Sequence, residues 1–335
     1  CLFVMTLKTN NLFEIGQQYS LDFQITENMV KQFSALTDDS SSMHVNKSFG
    51  RRSIYRRNVA HGMLTVAHLS LLDFFCIDGF RFSVYKISAS FLKPVFIDDA
   101  LSLSAEIKEL QDEKNQVGLE YLIKKTESGT PVVTGSLILN YSSEVKKEYL
   151  PPEINFARLS RERMVTTSLK ENDLEFDQIE KNLEEKFSFR ISSLCAYALL
   201  NMLLRNSRKQ EEGGRWVMNC ATPNFLTTML FSTFAGMCIP GRYATMMNFE
   251  AKFDKEIQWD KLYDFIGRVT FKSSINSIAE SILIKDCHED GGEAVYAQGK
   301  MNIRVNVPPA TMPSIADLRE KGLDLDPAGF ADLPS

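Results

Sequence analysis

Apolar residues fall along this chain in two rounds of one pattern. In the first, Tyr19 to Thr26 alternates polar and apolar positions, as a half-buried strand does. Met29, Phe33 and Leu36 then recur at helical spacing over Glu27 to Leu36, with Thr26 placed to cap the first turn. Residues 37–49 are polar and read as loop. Gly62 to Cys76 is strongly apolar and reads as a second helix, buried on most sides. Four strand-like runs follow, near 82–94, 100–110, 116–126 and 131–143. Pro94 and the pair Asp98-Asp99 punctuate the first two, and Glu127-Ser128-Gly129-Thr130 reads as a hairpin turn.

The second round starts with a strand over Lys186 to Ile191 and a helix over Cys195 to Leu204. Asn224 to Met237 is another apolar helix, and strands follow near 243–253, 261–271, 278–286 and 293–306. Glu289-Asp290-Gly291-Gly292 supplies a turn. An ungapped shift of 162 positions carries Cys76-Ile77-Asp78-Gly79 onto Cys238-Ile239-Pro240-Gly241, Phe91 onto Phe253 and Asp98 onto Asp260. Two α+β modules are therefore expected, each a mostly antiparallel sheet wrapped around one long central helix. The divisions predicted are 1–145, a linker over 146–185, 186–308, and a polar tail over 309–335. The linker is charged, contains Pro151-Pro152 and reads as a surface crossing.

Composition narrows the function. With 38 basic and 43 acidic residues the net charge is −5, which argues against nucleic-acid binding on the scale of a whole domain. No run reaches the roughly 18 apolar residues a membrane-spanning helix needs. The six cysteines form no C-x-x-C pair, so free thiols in a reducing, cytoplasmic setting are expected.

Candidate chemistry concentrates between Phe33 and Leu64. Asp39 and His44 share one polar loop, and Asn58-Val59-Ala60-His61-Gly62-Met63-Leu64 leads into the buried helix. A carboxylate and an imidazole together can hold a water and trade a proton. Backbone N–H groups at a helix start can polarise a carbonyl oxygen, and a glycine there lets a ligand come close. Arg51-Arg52 and Arg56-Arg57 lie between the two motif parts, where guanidinium forks suit phosphate. Read without further context, the same residues also fit a capped turn and a solvated charged loop. Met229, Met246 and Met247, with Phe225, Phe231 and Phe234, suit either core packing or the wall of an acyl tunnel.

The segment from Phe33 to Leu64 resembles the hydratase motif of the MaoC-like, (R)-specific enoyl-CoA hydratases, a hotdog-fold family. The family pattern runs D-x-N-P-x-H, a spacer, then a hydrophobic pair and H-G-M/I. Asp39 and His44 match its acid and its histidine, and Val59-Ala60-His61-Gly62-Met63 matches its close. Ser90 to Val95 with Asp98-Asp99 resembles the strand and turn that come next, so the likeness covers about residues 15–145. One departure stands out: the Asn-Pro of the pattern is Ser41-Ser42 here, which removes the stiffening a proline gives.

The resemblance implies a tandem, double hotdog that forms a pseudo-dimer within one chain, with further oligomers open. It implies reversible syn addition of water to a trans-2-enoyl thioester, or dehydration of an (R)-3-hydroxyacyl thioester. Asp39 and His44 would hold and deprotonate the water, and the Gly62 amide would bind the thioester oxygen. Ser41, His61 and Met63 would shape the substrate site, and Arg51, Arg52, Arg56 and Arg57 would meet CoA phosphates or an acidic acyl carrier protein. No metal or redox cofactor is required, because CoA or phosphopantetheine arrives with the substrate. The second unit lacks the motif: the 162-residue shift carries His61-Gly62 onto Pro223-Asn224, and His288 falls in a predicted turn. Two other readings stay open on the same fold. One is a thioesterase or acyltransferase, for which the first central helix offers only Asp73; the other is a non-catalytic acyl-thioester binding subunit.

Overall fold

The computed structural model describes residues 13–73, 80–142, 161–204, 222–287 and 294–307. The first round of the pattern forms β1 (Gln18–Gln24), α1 (Glu27–Thr37), the short helices α2 (Ser42–Val45), α3 (Lys47–Arg52) and α4 (Gly62–Ala67), then β2 (Arg81–Phe91), β3 (Ala100–Gln111), β4 (Gln116–Lys125) and β5 (Pro131–Ser142). The second forms β6 (Glu184–Arg190), α5 (Ser193–Leu204), α6 (Pro223–Thr233), β7 (Ala244–Phe253), β8 (Leu262–Lys272), β9 (Ser277–Asp286) and β10 (Val295–Val305).

The ten strands among the described residues join one antiparallel sheet in the order β1-β3-β4-β5-β2-β7-β10-β9-β8-β6. The second half repeats the strand order of the first in mirror sequence, and the halves meet where β2 pairs with β7. At that seam Ser88 pairs with Glu250, its own counterpart under the 162-residue shift, so a pseudo-two-fold axis passes between them. The pairing also removes two strand edges that would otherwise be exposed. The fold is a double hotdog.

Further details carry the repeat into three dimensions. Asp98 and Asp260 both adopt left-handed backbone, φ 70° and 59°. Each donates its N–H to a matching isoleucine carbonyl, Ile25 at 2.7 Å and Ile191 at 2.8 Å. Phe91 and Phe253 close β2 and β7. The segment Cys76 to Gly79, like the turn 289–292, His288 and the tail 309–335, lies outside the described residues. Cys195 and Cys238 are buried free thiols, and Cys287 is a partly buried one.

The two central helices, α4 and α6, pack against each other inside the curved sheet. Every residue of α6 is buried, as its unbroken apolar run requires. Each buried Leu or Phe there contributes about 1.5–3 kcal/mol relative to exposure. The first central helix is shorter than its apolar run predicts. After Ala67 it tightens into a 3-10 turn over His68–Leu71, where His68 Nδ1 and Ser70 Oγ bond back to the carbonyls of Leu64 and Ala67. α6 instead widens at its end into a π-helix over Phe234–Cys238.

Two loop expectations are corrected. Residues 37–49 are not simple loop: they hold α2 and the start of α3, which Asn46 caps by accepting from Phe49 N–H. Such short helices leave no periodicity to detect. The described part of the connection does not merely cross the surface. Met164 and Ile179 are fully buried, and the Met164 N–H bonds the Leu36 carbonyl at 2.8 Å. No helix among the described residues is long and apolar enough to cross a membrane.

Candidate active site

The end of α1 sets the site. Thr26 caps the helix start by accepting from Met29 N–H, and Asp38 ends it in left-handed backbone at φ 61°. That reversal turns Asp39 inward, where it is completely buried. Three residues later α2 begins, and it carries His44. His44 Nδ1 lies 2.7 Å from the Val59 carbonyl, which can only accept, so Nδ1 carries a proton and Nε2 is the nitrogen this bond leaves available. Val59 is fixed by a bridge to Phe96, and the Ala60 N–H bonds the Val95 carbonyl at 2.8 Å.

His61 follows, completely buried, with Nε2 donating to the Asp39 carbonyl at 3.0 Å. Burial is the main force that holds its pKa well below the usual range, and the neighbouring His44 adds to it. The imidazole is therefore neutral, and the 3.8 Å approach of His61 Nε2 to Asp39 Oδ2 is not an ion pair. The two histidine rings lie 3.9 Å apart between centroids. A ring nitrogen of His44, one of His61 and a carboxylate oxygen of Asp39 all sit within 4.8 Å of one another. This trio is the candidate metal-donor set among the described residues. Each histidine gives one nitrogen to a carbonyl, and Asp39 Oδ2 accepts from Ser232.

The second unit completes the surroundings of Asp39. Ser232 Oγ of α6 donates to Asp39 Oδ2 at 2.6 Å, and Ser41 N–H approaches Oδ1 at 3.4 Å. Thr233 Oγ1 donates to the Thr37 carbonyl at 3.0 Å. Gly236 presses on the same carboxylate: a Cβ there would stand 2.7 Å from Asp39 Oδ1. Burial raises the Asp39 pKa above the ordinary carboxylate value and Glu171 pushes the same way, while His44, Ser232 and Ser41 oppose it.

A cavity of about 220 Å³ opens beside this group, between the two units. His44, Ser41, Gly62, Thr65 and Ser232 line it together with apolar residues from both halves, among them Val95, Val133, Ala235, Met246 and Met247. Asp39 lies just behind that wall. Gly62 is the first residue of α4, so its N–H has no acceptor within the helix. A side chain at 62 would meet the Phe91 ring at 2.7 Å. Any side chain there would force that ring to move.

The predicted site residues divide accordingly. Asp39, Ser41, His44 and Gly62 come together. His61 buttresses them from behind, and Met63 is a core residue; neither lines the cavity. Arg51, Arg52 and Arg56 are exposed and off the lining, and the Arg57 guanidinium covers the Phe96 ring at 3.7 Å. The cations on the lining are Lys93 and Arg304. Of the soft residues of the second unit, Met246 and Met247 are wall, whereas Phe225, Met229, Phe231 and Phe234 are core.

The sequence reading missed Ser232 and Gly236. A signal existed: α6 is wholly buried yet carries Thr227, Thr228, Ser232 and Thr233. The first two satisfy their hydroxyls on their own helix, at Pro223 and Phe225, and the last two reach across to the other unit. The matching position of the second unit is plugged. Asn224, the counterpart of Gly62, bonds the Val84 carbonyl, the Ser83 hydroxyl and the Ile257 N–H.

Comparison with known proteins identifies the family and the fold. Residues 10–128 match the model of the MaoC like domain. Over 127 residues the chain is 30% identical to an (R)-specific enoyl-CoA hydratase of Aeromonas caviae, covering 38% of this chain and 93% of that one. A solved MaoC-like dehydratase superposes with TM-score 0.60 at 12% identity, over 87% of this chain and 98% of its own. A conserved hypothetical protein from Mycobacterium tuberculosis with a double hotdog fold gives 0.62 at 10% identity, over 88% and 97%.

Proposed function

This chain belongs to the MaoC-like, (R)-specific enoyl-CoA hydratase family, and on that premise we propose that its first unit reversibly hydrates trans-2-enoyl thioesters. The observation that carries the reading is His44 on the wall of a largely apolar cavity with the Asp39 carboxylate directly behind it. Water enters between the acyl chain and this pair. Its oxygen bonds to C3 of the enoyl group while Asp39 and His44 take up one proton and return one to C2 on the same face. The Gly62 N–H receives the thioester oxygen as charge develops there. The thioester supplies the electron sink, so the step needs no further cofactor. Run backwards, the same groups expel water from an (R)-3-hydroxyacyl thioester.

The second unit contributes walls and hydrogen bonds rather than reacting groups. Met246 and Met247 are flexible and polarizable, and they suit an acyl chain as a movable boundary. Lys93 and Arg304 line the cavity, and we assign them to the phosphates of CoA or to an acidic carrier protein bearing phosphopantetheine. The reaction is tested by loss of the enoyl-thioester ultraviolet absorbance with short and long trans-2-enoyl-CoA. Asp39→Asn and His44→Ala are each expected to lower turnover by about a hundredfold or more while the chain stays folded. Unchanged rates in both folded variants would remove the assignment. Release of free thiol in place of absorbance loss would favour a thioesterase.

A further inference from the structure

The segment that joins the two units runs along the floor of the Asp39–His44 loop. Leu169 N–H donates to Asp38 Oδ2 at 2.6 Å, so the segment grips the turn before Asp39. It then crosses to the second unit. Asn172 N–H bonds the Met237 carbonyl at 3.0 Å, and Asn172 Nδ2 bonds the Cys238 carbonyl at 2.7 Å. Glu171 lies between these two anchors. Its Oε1 accepts from Ser42 N–H at 2.5 Å, and its Oε2 accepts from Ser42 Oγ at 2.6 Å. Arg242 Nε donates to the same Oε2 at 3.1 Å, and the Glu171 side chain is only 13% exposed.

Ser42 is the first residue of α2, the helix that carries His44. An N–H at that position has no acceptor in its own helix. Proline would remove the need for one and would fix the backbone angle at a helical value. Ser41, at ψ 132°, already lies outside the α region that a residue before proline avoids. The chain thus keeps a proline-ready backbone without the proline. A charged, bidentate acceptor held by an arginine is the strong form of hydrogen bond.

We infer that Glu171 is the positioning residue of this site: clamped by Arg242, it pins the start of α2 through Ser42 and so aims His44 at Asp39. The inference rests on the reading of Asp39 and His44 as the reacting pair. It makes the connecting segment part of the active site, and it accounts for how Ser41-Ser42 keeps the loop ordered.

The experiment compares wild type, Glu171→Gln, Glu171→Ala, Ser42→Pro and the double variant Glu171→Ala with Ser42→Pro. Two readouts are taken: amide hydrogen exchange over residues 43–46, and kcat and KM on trans-2-enoyl-CoA. Glu171→Ala should speed exchange there by roughly tenfold or more and lower kcat by a similar factor, with KM within about twofold, as expected for a lost charge-assisted pair. Adding Ser42→Pro should return both to within about threefold of wild type, since proline needs no acceptor. Glu171→Gln keeps an acceptor but loses the ionic hold of Arg242, and should fall between. It takes over the test if Glu171→Ala does not fold. Wild-type exchange in the folded Glu171 variant, or a double variant as impaired as the single one, overturns the inference. Absence of hydration in wild type would instead overturn the proposed reaction, and the exchange data would still decide the role of Glu171.

Discussion

A buried carboxylate costs a protein stability unless donors surround it, and among the described residues Asp39 and Glu280 are buried with opposite treatment. Asp39 accepts from Ser232 and is approached by the Ser41 N–H. Glu280 on β9 is 1% exposed, and among the described residues neither of its oxygens has a hydrogen-bond partner. It sits between Val269 and Met301 in the sheet, where the first unit has Leu119 between Ile107 and Leu137. Burial therefore pushes the Glu280 pKa well above the ordinary glutamate value. The sign of the consequence is fixed by linkage. The unfolded chain gives up this proton at lower pH than the folded one, so stability falls as pH rises through and beyond the ordinary range. Glu280→Leu is expected to raise the melting temperature by several degrees near pH 8 and by little near pH 4. Melting curves at the two pH values check it; a gain independent of pH would mean that better packing alone was responsible.

At the scale of elements, strand positions were legible because alternation marks a sheet with one face on a core. β2 to β5 and β7 to β10 all lie within a few residues of their expected places. The motif residues Asp39, His44 and Gly62 were legible because they share one short stretch of chain. Ser232 was not, because its meaning arises only where α6 meets the loop after α1. Glu171 was hidden for the same reason: a charged residue in a charged segment carries no signal until its partner, Ser42, is seen. The cross-unit bond from α6 has a testable consequence. Ser232 Oγ favours the ionised form of Asp39, so removing it lets burial raise the pKa further. Since Asp39 is taken to work as a carboxylate, Ser232→Ala should move the acid limb of the kcat profile to higher pH. The rate at neutral pH should fall by about tenfold, the effect of one hydrogen bond to a charged group. Ser232→Thr, which keeps the hydroxyl, should restore the limb; an unmoved limb in Ser232→Ala would mean that Asp39 does not set it.

At the scale of the whole molecule, the two units are bound by more than sequence. One sheet runs through both, the central helices touch, and the cavity is walled by both halves. The connecting segment is bonded to each: Leu169 to Asp38 of the first, Asn172 to Met237 and Cys238 of the second. Chains of this length commonly unfold in stages when their cores are separate. Here no boundary separates the cores, because the β2–β7 seam places Ala89 beside Phe249 in continuous packing. A single cooperative transition follows. Both tryptophans, Trp216 and Trp259, belong to the second half, whereas the motif belongs to the first. Trp259 fluorescence therefore reports the second unit, and turnover reports the site that both units build. Under increasing urea the two signals should be lost at the same midpoint. Activity that vanishes while tryptophan fluorescence is still native would show that the units unfold separately.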